Sequence, residues 1–190
     1  MTDRLHGFCY TPLFCEENIW HLANSLIQQN VDSEKLSIVF ISNLAQHIAI
    51  FNQKSARNQQ PVIWDYHVIL IRHEQHPALV YDFDSLCSFP IALPQYLNAC
   101  FPSTLTIHTE YQAQFRLVSA GLFLSQFFSD RSHMLGIIKK ENFPDYPIIK
   151  PEPENNIIKL DEFINFKQLL FDDEEILNQD QLLEKFIGKM

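Results

Sequence analysis

From Cys15 to Gln29 the apolar positions recur at helical spacing: Ile19, Ala23, Leu26 and Ile27 form one stripe, with Trp20 at its border. Glu16 and Glu17 fall in the first turn of this predicted helix, where acids suit the positive end of the dipole. Residues 1–14 show no such period and read as an irregular lead-in. Leu36–Ser42 is a short apolar run suited to a buried strand. Val62–Arg72 is β-prone and apolar on both faces, which predicts a central strand. Leu79–Asp84 predicts its neighbour, with His73–Ala78, containing Pro77, as the hairpin loop between them. Phe115–Ala120 predicts a further strand and Leu122–Phe128 a short helix. Pro144, Pro147, Pro151 and Pro153 keep residues 143–153 extended or turning. A last helix is predicted over Asp173–Ile187, with Ile176, Leu183, Phe186 and Ile187 as its apolar set and Asp172 with Glu175 as a capping box. Together these elements predict an α+β fold with a mainly antiparallel sheet flanked by helices, one domain over residues 1–190.

Composition narrows the functional classes. Of 190 residues, 46% are apolar and 19% charged, and 16 Phe against 4 Gly point to a bulky, well-filled interior. The net charge is −9 and no basic run exceeds Lys139-Lys140, so a surface that neutralises phosphates is absent and nucleic-acid binding is disfavoured. Cys9, Cys15, Cys87 and Cys100 are irregularly spaced with no CxxC pair, the pattern of free thiols in a reducing compartment. No stretch resembles a signal peptide or a membrane span, so a soluble, monomeric, cytosolic protein without membrane partners is expected.

Chemistry concentrates first at Cys15. At a helix start the sulfur sits near unpaired backbone N–H groups, which favours thiolate, whereas Glu16 and Glu17 oppose it. Lowering a thiol pKa from about 8.5 to about 6 takes roughly 3.4 kcal/mol. A helix dipole contributes only about 0.3–1 kcal/mol, so a cysteine nucleophile here requires a histidine partner. His67 is suited to that task. It shares a predicted strand face with Asp65, and an antiparallel hairpin sets either Asp82 or Asp84 opposite it, within about 5 Å at Cβ. An imidazole oriented by an acid is one arm of a Cys-His-Asp triad, and register alone leaves the choice of acid open. His73-Glu74-Gln75-His76 lacks the HExxH spacing of a zinc site. Asp130-Arg131-Ser132-His133 reads as a capped polar turn.

Several strings, in order, resemble the protein N-terminal glutamine amidohydrolase family: Phe14-Cys15-Glu16-Glu17-Asn18-Ile19-Trp20, Val39-Phe40-Ile41-Ser42-Asn43, Pro61-Val62-Ile63-Trp64-Asp65-Tyr66-His67-Val68, Tyr81-Asp82-Phe83-Asp84, Phe128-Ser129-Asp130-Arg131-Ser132-His133-Met134, and Tyr146-Pro147. The resemblance covers about residues 8–165. It implies a papain- and transglutaminase-like core that works without metal or cofactor, with Cys15, His67 and Asp82 as the triad and Asp84 as a supporting neighbour. After Phe166 the chain departs from the family pattern, because Asp172-Asp173-Glu174-Glu175 leads straight toward the predicted last helix.

The implied reaction is deamidation of an N-terminal Gln of a protein or peptide through a thioester on Cys15. The Cys15 backbone N–H is one natural oxyanion donor. Reading the substrate's α-ammonium group requires a carboxylate, for which Glu17, Asp65 and Asp130 are the candidates. Deamidation of internal Gln, a transglutaminase-type reaction, and a silent binding module that keeps the pocket are the competing readings.

Overall fold

A computed structural model describes residues 3–152, 156–171 and 174–187 of the chain. It opens with a hairpin, β1 (Asp3–Leu5) and β2 (Phe8–Tyr10), where an irregular lead-in was expected. His6 and Gly7 close it with φ of 53° and 86°. Two positive φ values match the twist of tight hairpins, but His-Gly is a weak signal for them in sequence. Helix α1 (Cys15–Gln28) follows as predicted and buries Ile19, Leu22, Ala23 and Leu26.

The rest of the chain wraps a sheet. In order come β3 (Leu36–Ser42), β4 (Ile48–Ile50), β5 (Val62–Trp64), β6 (His67–Arg72), β7 (Leu79–Tyr81), β8 (Ile91–Ala92) and α2 (Leu93–Cys100). Then follow β9 (Gln114–Ser119), α3 (Ala120–Gln126), β10 (Phe127–Phe128), β11 (Ile158–Lys159), α4 (Leu160–Phe163), β12 (Glu175–Leu177) and α5 (Gln179–Phe186). Six strands form the main sheet in the order β12-β9-β3-β6-β7-β8, every neighbouring pair antiparallel. The fold is α+β, as the patterning predicts.

Both sheet faces are covered, which explains why the central strands read as apolar on both sides. Ile38, Phe40, Val68 and Leu70 pack in a core that includes α1 and α3 residues such as Leu22 and Phe123. Val39, Ile41, Ile69 and Ile71 pack in a second core with Tyr96 and Leu97 of α2 and Leu182 and Phe186 of α5. The phenylalanine excess fills the first core: Phe40 stacks on Phe163 with centroids 4.7 Å apart, and Phe123 packs edge-on to both.

The strand predicted over Leu79–Asp84 ends early, at Tyr81, and three further predicted elements differ. Val62–Arg72 is not one strand but two, because Asp65-Tyr66 interrupts it: the Asp65 carbonyl accepts from Ser42 Oγ at 2.6 Å and its carboxylate from the Tyr66 N–H at 3.0 Å. Consequently β5 pairs with β4 outside the main sheet while β6 lies within it. The helix predicted for Leu122–Phe128 starts two residues earlier, capped by the Ser119 hydroxyl. The last helix is shorter than expected. Ile176 belongs to β12, across from Arg116, and the capping box is Asn178 with Gln181. The expected box at Asp172, and Asp173, lie outside the described residues. A strand therefore precedes the last helix where a direct lead-in was expected.

Candidate active site

Two chain elements begin at the wall of one cavity. Cys15 is the first residue of α1 and His67 the first of β6, and α1 packs on β6. The Val68 backbone N–H favours the charged form of the Cys15 sulfur, and Val68 adjoins His67 in β6. Cys15 and His67 line one cavity of about 740 Å³, which also takes in Tyr10, Asp84, Trp64 and Tyr66. Leu13, two residues before the cysteine, holds φ of 69°, an uncommon backbone state for leucine at the cavity wall.

Asp82 is the acid on His67. The observed hairpin register pairs Leu70 with Tyr81 and Arg72 with Leu79, which if continued would set residue 84 across from residue 67. Strand β7 stops at Tyr81, however, and the chain turns so that Asp82 Oδ1 lies 2.9 Å from His67 Nε2. The same oxygen accepts from the Asp84 N–H at 2.9 Å, and Oδ2 accepts from the Tyr96 hydroxyl at 2.9 Å. Asp84 faces the cavity and accepts from the Tyr10 hydroxyl at 2.7 Å.

The electrostatics follow from this packing. Burial pulls the His67 pKa down, but the charge and hydrogen bond of Asp82, with the charge of Asp84 behind them, more than offset it and hold the ring above its ordinary value. Burial pushes Asp82 up, and the His67, Asp84 N–H and Tyr96 bonds bring it below the usual carboxylate value. Burial also pushes the Cys15 thiol well up, Glu16 and Asp84 add to that, and the Val68 N–H works against them. The thiol on its own is thus held protonated. An imidazole is the kind of base that can take such a proton, turning two neutral groups into an ion pair. His67 Nε2 is engaged by Asp82, and Nδ1 is the other nitrogen of that ring.

His67, Asp82 and Asp84 each bring one ligand-type atom within 4.8 Å of the others. Their oxygens are nevertheless engaged by donors, Asp82 by the His67 ring, the Asp84 N–H and Tyr96, and Asp84 by Tyr10. This donor set fits the orientation of an imidazole better than the coordination of a cation.

The three carboxylates considered for the substrate ammonium separate. Asp65 and Asp130 are exposed and line the cavity. Glu17 is fully buried and not part of the cavity wall. Its oxygens accept from Ser129 Oγ at 2.6 Å and, in a fork, from Arg131 Nε and Nη2 at 3.0 Å each. Glu17 is therefore a wall-building residue, its charge matched by Arg131. The Asp130-Arg131-Ser132-His133 cluster is more than a capped turn: Arg131, at φ 59°, points inward while Asp130, Ser132 and His133 face the cavity.

Sequence reasoning missed Tyr96, because α2 was not anticipated. Its signal was present as Pro94 in the first turn and Leu93, Tyr96, Leu97 and Cys100 on one face. The partnership of Glu16 with Tyr66, whose hydroxyl donates to Glu16 Oε2 at 3.0 Å, had no local signal.

Residues 10–186 match the family model described as N-terminal glutamine amidase. Proteins named protein N-terminal glutamine amidohydrolase are similar to the chain. The zebrafish (Danio rerio) protein is 39% identical over 160 residues, covering 82% of this chain and 78% of the relative. The bovine (Bos taurus) protein is 36% identical over 162 residues, covering 82% and 76%. The human (Homo sapiens) protein is also 36% identical over 162 residues, covering 82% and 77%.

Proposed function

The chain belongs to the N-terminal glutamine amidase family, and from that premise we propose that it removes ammonia from the side chain of an N-terminal Gln through a thioester on Cys15. It is an amidohydrolase. The observation that carries the mechanism is the buried His67–Asp82 pair beside the cavity that Cys15 also lines. Cys15 gives its proton to His67 and Sγ adds to the carboxamide carbon. The developing oxyanion is met by backbone donors at the α1 start, the Cys15 N–H first among them. The imidazolium then protonates the departing nitrogen, ammonia leaves, and the side-chain carbonyl is held as a thioester. Neutral His67 next takes a proton from water, whose oxygen attacks the thioester; Cys15 is released and the product carries an N-terminal Glu. Asp82 keeps the ring in one tautomer and one orientation through both steps.

Specificity for the chain terminus comes from the α-ammonium group, read by Asp65 or Asp130 at the exposed rim. All three catalytic groups come from one chain, so a monomer suffices. Among the described residues no helix is long and apolar enough to cross a membrane, and no disulfide joins the cysteines, which suits a reducing compartment such as the cytosol.

The test compares three short peptides that differ only at the first residue: free Gln, acetylated Gln and free Asn. Ammonia is expected from the first. Acetylation removes the positive charge and is expected to abolish release. Asn places its amide one carbon short, and a misplacement of about 1 Å costs about 100-fold. Equal release from free and acetylated Gln would assign the enzyme to internal Gln instead.

A further inference from the structure

Two acids directly follow the nucleophile, and the fold disposes of them differently. Glu17 is matched by Arg131. Among the described residues Glu16 is buried with no Lys or Arg bonded to it, and the Arg131 donors go to Glu17 and to the carbonyls of Pro144, Tyr146 and Pro147. Glu16 Oε2 accepts from the Tyr66 hydroxyl at 3.0 Å and lies 3.6 Å from Cys15 Sγ. Glu16 Oε1 is buried and makes no hydrogen bond, 3.5 Å from His133 Nε2, an atom that is itself buried and unbonded. A single proton placed between those two atoms satisfies both. An ionised carboxylate at this position would be an anion in an apolar wall, next to the sulfur that must itself become negative.

The groups facing Glu16 are Cys15 and Glu17 from α1, Tyr66 and His67 from the β5–β6 segment, and His133 from the turn after Arg131. The Glu16 pKa is raised to about 8, mostly by burial and also by the charge of Glu17, against the lowering by its own backbone N–H and by the bonds from Tyr66 and Cys15. His133 is lowered by burial, which leaves its ring neutral and able to accept a proton.

We propose that Glu16 is a neutral, proton-bearing carboxylic acid whose proton is held toward His133, so that Cys15 becomes a thiolate without a second anion beside it. This positioning role rests on Cys15 being the nucleophile. It also resolves the opposition of the two acids to thiolate formation: one is paired with a guanidinium, and the other is uncharged. As pH climbs through the Glu16 value, a negative charge appears beside the sulfur and activity falls.

The test is Glu16→Gln, a neutral isostere, with melting temperature followed from pH 4 to 9 and no substrate present. A carboxyl whose pKa is higher in the fold than in the unfolded chain supports the fold below the unfolded value, near 4.5, and that support is lost as pH rises toward the folded value, about 8. The variant's melting temperature is therefore expected to gain on the wild type's between those limits, with a slope of about one proton, and then to level. The alkaline limb of ammonia release is expected to move upward in the variant. A melting-temperature difference that stays flat over this range, an unmoved limb, or failure of the isostere to fold would each overturn the proposal. The melting comparison does not depend on the substrate, whereas the amidohydrolase reading stands or falls on the peptide test.

Discussion

Replacing Asp82 by Asn is expected to lower turnover of a Gln-leading peptide by about 10⁴-fold, because an amide in place of the orienting acid favours the wrong imidazole tautomer. The wild-type carboxylate has one oxygen on His67 Nε2 and the Asp84 N–H and the other on Tyr96. Asn imposes that tautomer by turning its NH₂ toward Nε2, which then accepts and leaves the ring proton on Nδ1; its carbonyl accepts from Tyr96, and the Asp84 N–H bond is lost. The fold survives, but the ring loses the charge that raises its pKa and stabilises the imidazolium. The steady-state ammonia assay should show the loss chiefly in kcat, with KM little changed, since Asp82 lies behind the ring rather than in the cavity wall. Asp84→Asn serves as the comparison and is expected to cost far less, its carboxylate being bonded to Tyr10 instead of the ring. A larger loss at Asp84 than at Asp82 would transfer the orienting role.

The second large effect is on stability. Arg131→Met is expected to destabilise the fold by about 3–5 kcal/mol, the cost of leaving one partner of a buried ion pair uncompensated. For a chain of this size about 2–4 °C of melting temperature accompanies each kcal/mol, so a fall of roughly 10 °C is expected by calorimetry. The reason is geometric. Arg131 bonds Glu17 through a fork, donates to three carbonyls of the Pro144–Pro147 stretch, and lies over the Tyr146 ring at 4.9 Å. Its removal strands the Glu17 charge and unties the proline-rich strap from α1. Arg131→Lys keeps the charge but loses the fork, and most of the loss should persist. Adding Glu17→Gln to Arg131→Met should recover part of it, because the two positions are coupled.

Some of this architecture was legible in the sequence. Helix α1 and strand β3 carry long, unambiguous patterns, and both formed as expected. The β6–β7 hairpin was legible too, yet its register was informative only up to Tyr81. Beyond that residue the turn, not the ladder, decides which acid reaches His67, and turn geometry leaves no period to read. The break at Asp65-Tyr66 was hidden because Val62–Arg72 looks like one apolar run, whereas its halves join different sheets. Strand β12 exists through its pairing with β9, a partner about 60 positions away in the chain, so the helix-like spacing of Ile176 with later residues misled. The same holds for Glu17. A first-turn acid looks like a substrate-facing charge until Arg131, 114 positions later, closes on it. Long-range pairing, rather than local propensity, separates the residues that face the cavity from those that build its wall.

The most direct measurement is ammonia release from a Gln-leading peptide by the wild type and by Cys15→Ala at matched concentration, with the peptide's mass read at the end. The wild type is predicted to yield one ammonia per peptide and a product with Glu at its first position, and the alanine variant, folded to the same melting transition, to yield neither. Conversion by Cys15→Ala at the wild-type rate would mean that the bond is broken by some group other than the Cys15 sulfur.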